Sequence, residues 1–200
     1  MSKCFYTQIS QEYNSTSGKL TGSVHEFFKG TPTGVTEGPQ LYKRDGYYYL
    51  LVAESSTGVK HMVSMARSHS LIGPYETDPD YPIMNTAHDL TFALQQAGHG
   101  SLVETQDGDW YLAHLCTHPI PGTATMNPLG RETAIQRSIW IEDGWLRLAH
   151  GGKLPALNVD APGLPPHPFE PFPERDDLDY LELGYPYESL SCHSIHHGLA

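Results

Sequence analysis

The sequence predicts an all-β fold, an incomplete β-propeller of about two to three blades, followed by a proline-rich linker. Three observations predict it. From Leu20 to about Leu148 the chain runs in short segments rich in Tyr, Val, Leu, Ile and Thr, broken by Gly, Pro and Asp-Gly pairs. That is the pattern of antiparallel strands joined by tight turns. The pairs Asp45-Gly46, Asp107-Gly108 and Asp143-Gly144 mark three such turns, each followed closely by an aromatic residue, Tyr47, Trp110 or Trp145. The stretch Gly38–Glu54 is also matched in layout by Gly98–Leu115, at an offset of about 60 residues. A four-strand unit recurring at this spacing reads as a propeller blade.

In chain order, a partial strand set precedes Gly30. The first repeat, GPQLYKRDGYYYLLVAE, has a glycine-bearing entry, a short apolar strand, a polar turn and an aromatic-rich strand. The outer strand pair HMVSMARSHSLIGPYE follows it. The second repeat, GHGSLVETQDGDWYLAHL, is followed in the same way by RETAIQRSIWIEDGWLRL. These parts make a partial propeller over 1–153. From Leu154 to Asp177 the chain is rich in proline, which removes backbone donors and disfavours helix and central strand. This segment, 154–177, is expected to lie extended over the preceding domain. The remainder, 178–200, is too short for a domain of its own.

The balance of charge narrows the function. A net charge of -11 excludes nucleic acid as the main partner, because binding phosphate needs a basic face. A neutral ligand such as a sugar meets no electrostatic conflict on an acidic surface. No run of about 18 apolar residues is present, which excludes a transmembrane helix and a membrane partner of that kind. The opening MSKCFYTQIS has no apolar signal segment, so a cytoplasmic location is expected. Cys4, Cys116 and Cys192 are odd in number and far apart, matching reduced thiols rather than a disulfide framework or a zinc site.

Three short constellations could carry chemistry. In Thr36-Glu37-Gly38-Pro39 the carboxylate stands at an irregular strand entry. It could be a catalytic acid at a blade mouth or a solvated surface group. In Gly98-His99-Gly100 the glycines let backbone pack closely around the imidazole. That ring could bind substrate, a carboxylate or a metal ion, or serve structure alone. In Leu129-Gly130-Arg131-Glu132-Thr133, Arg131 could orient sugar hydroxyls or a carboxylate; a salt bridge with Glu132 is the plainer alternative. No HExxH motif and no Cys/His set of zinc spacing occurs. The cluster His193, His196 and His197 fits a disordered terminus better than a site.

Taken together, these segments resemble the β-xylosidases of glycoside hydrolase family 43 over about Gln11–Asp179. The matching runs are QEYNSTSGKLTG, TEGPQLYKRDGYYYLLVAESST, ARSHSLIGPYE, AGHGSLVET, PLGRETAIQ and the Asp143–Trp145 triplet. TEGP with LYK, and GHG with LVET, are specific in combination and stand in the family's order. The resemblance implies a five-bladed propeller whose pocket hydrolyses terminal β-1,4-linked xylose from xylo-oligosaccharides with inversion. Inverting chemistry uses two carboxyl groups roughly 6.5–9.5 Å apart, one giving a proton to the leaving oxygen and one activating water. By the same resemblance Glu37 is the general acid, His99 and Arg131 are pocket residues, and Thr57 lies near the sugar. Ser55-Ser56 replaces the two glycines usual before that threonine.

The chain also departs from the family. The family's catalytic base and its pKa-adjusting aspartate lie upstream of TEGP, yet Met1–Thr36 holds no aspartate, only Glu12 and Glu26 as acids. The expectation is a fragment lacking the N-terminal blades and most of a C-terminal β-sandwich, whose truncated start, or a disordered tail, would be 178–200. Loss of the base predicts impaired hydrolysis. The alternatives are a non-catalytic, sugar-binding remnant and an α-L-arabinofuranosidase of the same family. The resemblance requires no cofactor and allows a structural calcium near His99; the partner is a xylo-oligosaccharide or arabinoside, with oligomeric state open.

Overall fold

A computed structural model describes residues 7–166 and 168; the stretch 178–200, with His193, His196 and His197, lies outside the described residues. Within them, regular structure is entirely strand: β1 (Gln8–Asn14), β2 (Lys19–Phe28), β3 (Thr36–Arg44), β4 (Tyr47–Glu54), β5 (Met62–Ser68), β6 (Glu76–Thr77), β7 (Met84–Asn85), β8 (Gln95–Glu104), β9 (Trp110–Thr117), β10 (Glu132–Trp140) and β11 (Leu146–Leu148). The strands form two meandering antiparallel sheets and a hairpin. One sheet runs β3-β4-β5-β6, with β7 also paired to β5; the other runs β8-β9-β10-β11. The hairpin is β1-β2. The two repeats seen in the sequence are therefore β3-β4 and β8-β9, and the segments after them supply the outer strands.

The Asp-Gly pairs act as turn chemistry requires. Asp45 and Gly46 alone connect Arg44 to its partner Tyr47, with φ of 46° and 80°. Both central residues are left-handed, the type I′ geometry whose twist suits a two-residue hairpin. Gly144, at φ 83°, lets Ile141 N–H reach Trp145 O at 2.9 Å. The aromatic residues after the turns fill the space between the sheets: Trp145 is buried in the core, and Tyr47 and Trp110 pack against it.

The core follows from the two-residue period of β4, which is covered on both faces. Tyr49 and Leu51 point into the main cluster with Val63, Met65, Leu112 and Trp145. Leu50 and Val52 point the other way, against Phe28 and Ala66. Alternate side chains of a strand face opposite sides, so a continuous apolar run is what a strand between two packed layers needs. Each fully buried side chain of this size contributes about 1.5–3 kcal/mol.

Polar staples lock one sheet to the other. Arg67 of β5 lies 4.1 Å from the Trp145 ring centre and 4.8 Å from that of Tyr47, and donates to Asp143 O at 2.7 Å. Tyr49 Oη donates to Gly144 O at 2.8 Å, and Tyr42 Oη accepts from Leu102 N–H at 2.7 Å. Arg147 of β11 grips the fully buried Asp78 carboxylate through two nitrogens. Beyond β11 the chain stays against the sheets. Gln136 brackets Ala156, accepting its N–H at 2.7 Å and donating to its carbonyl at 3.1 Å.

Candidate active site

The site forms where both repeat-leading strands break register. In β3 the pairing with β4 shifts between Glu37 and Gln40; in β8 the pairing with β9 shifts between Gln95 and Gly98 and again between Gly98 and Ser101. Such bulges re-aim side chains and are common beside active sites. They bring Gly38, the neighbour of Glu37, close to the His99 ring. Gly38, at φ +58°, lies under the His99 ring, and a Cβ added there would stand 2.5 Å from His99 Nε2. Glycine at 38 is therefore a close-approach requirement as well as a conformational one. The segment before Glu37 is anchored from below, since the buried Glu54 carboxylate accepts from Thr31 N–H at 3.0 Å and Thr36 Oγ1 at 3.1 Å.

Against Gly98 stands His61, a residue that no sequence motif singled out. It is only 2% exposed, and its ring fits because Gly98 has no side chain: a Cβ there would meet the ring at 2.5 Å. His61 Nδ1 lies 3.1 Å from Gln96 O. A carbonyl only accepts, so Nδ1 carries the proton and Nε2 is a bare acceptor. Burial holds the His61 imidazole below its usual value; the Gln96 bond opposes this, His99 and Arg131 reinforce it, and Glu37 opposes it.

Arg131 and Thr57 line a common open cavity of about 620 Å³ with Gln96, Thr117, Asn127 and Gly130. The pairing of Arg131 with Glu132 does not form, because Glu132 Oε2 sits 2.6 Å from His118 Nδ1 instead. Among the described residues Arg131 has no salt-bridge partner, so its guanidinium is available to a ligand. Thr57 follows Ser55 and Ser56, whose φ values of 64° and 60° fall in the left-handed region. Serine adopts it at a cost of about 1–2 kcal/mol per residue, which glycine avoids. Gln96 and His99, at φ 55° and 53°, hold the same conformation, and strain of this kind clusters at functional sites. Among the described residues no group of three or more His, Cys, Asp or Glu side chains is placed to hold a metal ion.

The model of glycosyl hydrolases family 43 matches residues 3–146. The chain belongs to glycosyl hydrolase family 43. A xylan 1,3-β-xylosidase of a Vibrio species is 44% identical over 180 residues, an alignment covering 85% of this chain and 33% of that protein. A xylosidase/arabinosidase of Humicola insolens is 42% identical over 182 residues, covering 90% and 32%. The crystal structure of a xylan β-1,4-xylosidase from Bacillus halodurans superposes with a TM-score of 0.79 at 56% identity, covering 88% of this chain and 33% of that one. The chain thus spans about a third of the length of these family 43 relatives.

Within that family frame, Glu37, His99 and Arg131 were legible as local motifs. His61 and Gln96 were not. His61 opens an ordinary-looking strand, and Gln96 stands in a polar pair ahead of Gly98; no local feature marks either, since their partners lie far away in the chain.

Proposed function

We propose that this chain carries the acid half of a β-xylosidase-type site, with Glu37 protonating the leaving oxygen of a terminal β-linked xylose. The observations that support this most are the close approach of Gly38, next to Glu37, to the His99 ring and the cavity that Thr57 and Arg131 share. In an inverting hydrolysis the C–O bond to the leaving sugar breaks as Glu37 gives its proton to that oxygen, and water attacks the opposite face of the anomeric carbon. Arg131 and Thr57, on the cavity wall, would hold the sugar hydroxyls. The relatives' names include both β-1,3- and β-1,4-xylosidases, so the bond acted on is read as β-xylosidic, with 1,4 linkage the first to test. The name of the Humicola relative covers arabinosides as well, and α-L-arabinofuranoside cleavage is the second reading.

Water activation is the weak half. No aspartate occurs in Met1–Thr36, where the family resemblance places the base. These 200 residues alone should therefore release p-nitrophenol from its β-D-xyloside at least about 10²-fold more slowly than the Bacillus halodurans relative measured alongside. Azide needs no base to act as a nucleophile. It should speed cleavage of xylobiose by the wild-type chain, forming the inverted glycosyl azide, but not by Glu37→Gln. Xylobiose has a poor leaving group and needs the proton. Equal azide rescue of both proteins would sink the assignment of Glu37, and a fast α-L-arabinofuranoside reaction with a slow xyloside one would favour the second reading.

A further inference from the structure

We propose that Gln96 is a sugar-binding residue, its side-chain N–H₂ donating to pentose hydroxyls in the cavity shared with Thr57 and Arg131. This rests on reading that cavity as the sugar site. The orientation of the amide follows from a chain of fixed partners. Thr125 O is a backbone carbonyl and can only accept, so the side-chain atom of Asn127 that meets it at 3.1 Å is Nδ2. The same Nδ2 lies 3.1 Å from the Gln96 side chain, which must therefore present its oxygen. Thr117 Oγ1 reaches that oxygen as well, at 3.1 Å. With Oε1 held by Asn127 Nδ2 and approached by Thr117 Oγ1, whose single proton also has Gln95 O at 3.3 Å, Nε2 is directed the other way.

The backbone of Gln96 is held just as firmly. Its carbonyl accepts from buried His61, and its φ of 55° falls within the first bulge of β8, between Gln95 and Gly98. Among the described residues Nε2 has no hydrogen-bond partner, and it is absent from the buried polar atoms lacking one. Nε2 is thus not sealed in the interior and has no protein partner, on a residue that lines the cavity. A donor pair locked before the ligand arrives loses little entropy on binding. It would serve a hydroxylated ring, whose oxygens accept as readily as they donate.

The test uses the full chain, its Gln96→Met variant and NMR titrations with D-xylose and the 2-, 3- and 4-deoxy sugars. Methionine keeps length and apolar volume but has no donor. In the wild type, xylose should shift the Gln96 side-chain amide signals, and loss of one particular hydroxyl should weaken binding about 5–10-fold, the scale of one net hydrogen bond. In Gln96→Met, xylose should bind about 5–10-fold more weakly, and the penalty for losing that same hydroxyl should disappear. The variant's melting temperature and amide spectrum establish that it is folded. Unchanged affinities in the folded variant would overturn the role of Gln96 and leave the sugar site standing. No binding of any sugar by the wild type would overturn the sugar-site reading, and this assignment with it.

Discussion

At Gly98 the absence of a side chain is what admits His61. A methyl group there would press within 2.6 Å of three ring atoms, and the ring, 2% exposed, has nowhere to go. Gly98→Ala should therefore destabilise the fold by about 1–3 kcal/mol, the usual range for overpacking a filled interior. Gly58 is the control: nothing lies within 4 Å of its Cβ position, and Gly58→Ala should change stability by less than about 1 kcal/mol. Urea unfolding of the two variants checks this; equal midpoints would mean that the His61 seat is not tight. Glu37 and Gly38 illustrate the other kind of legibility. The TEGP motif is local and can be read, whereas its contact with His99 spans some sixty residues and cannot.

Among elements, β10 does two jobs that its sequence does not advertise. Its outward residues are exposed, but Gln136 is 1% exposed and joins three parts of the chain. It approaches His114 Nε2 of β9 at 3.4 Å and brackets the Ala156 backbone beyond β11. Replacing it with methionine leaves the Ala156 N–H and carbonyl without their partner. A buried polar group left unpaired costs about 1–3 kcal/mol. Gln136→Met should thus lose at least that much stability, and amide exchange at Ala156 should accelerate far more than at β4. Uniform acceleration across the chain would argue against a local anchor. The proline content of 154–177 predicted an extended segment; where its first residues attach depended on Gln136, a polar residue in a strand whose neighbours alternate normally.

Across the whole molecule, two buried imidazoles set how stability varies with acidity. Burial lowers both His61 and His114 below the ordinary 6.5, so the fold keeps them neutral. Above that value both states are neutral and the full stability is present. As pH falls through 6.5 the unfolded chain takes up protons that the folded chain refuses, and stability falls. The melting temperature should therefore be level from about pH 8 to 7 and drop between about 6.5 and 5.5, before most carboxylates titrate. A level profile across that window would contradict neutral burial of both rings. The hairpin β1-β2 adds a second whole-molecule trait. Ile9, Tyr13, Leu20 and Val24 are all more than half exposed, an apolar surface beyond that of the core sheets.

The sequence by itself determined the strands, their repeat, the turns and the motifs around Glu37, His99 and Arg131. Each of these is written in short-range chemistry: a two-residue period, Asp-Gly pairs at left-handed positions, a glutamate or histidine beside glycine. Only the tertiary structure decided that Gly38 lies against the His99 ring, that Gly98 admits His61 and that Glu132 turns to His118. It also decided that the Gln96 side-chain oxygen meets Asn127 and Thr117. Those choices depend on buried polar groups finding partners up to 95 positions away, as Tyr49 does with Gly144. Burial makes an unpaired group costly, so the folded packing, rather than any local pattern, selects which partner it takes.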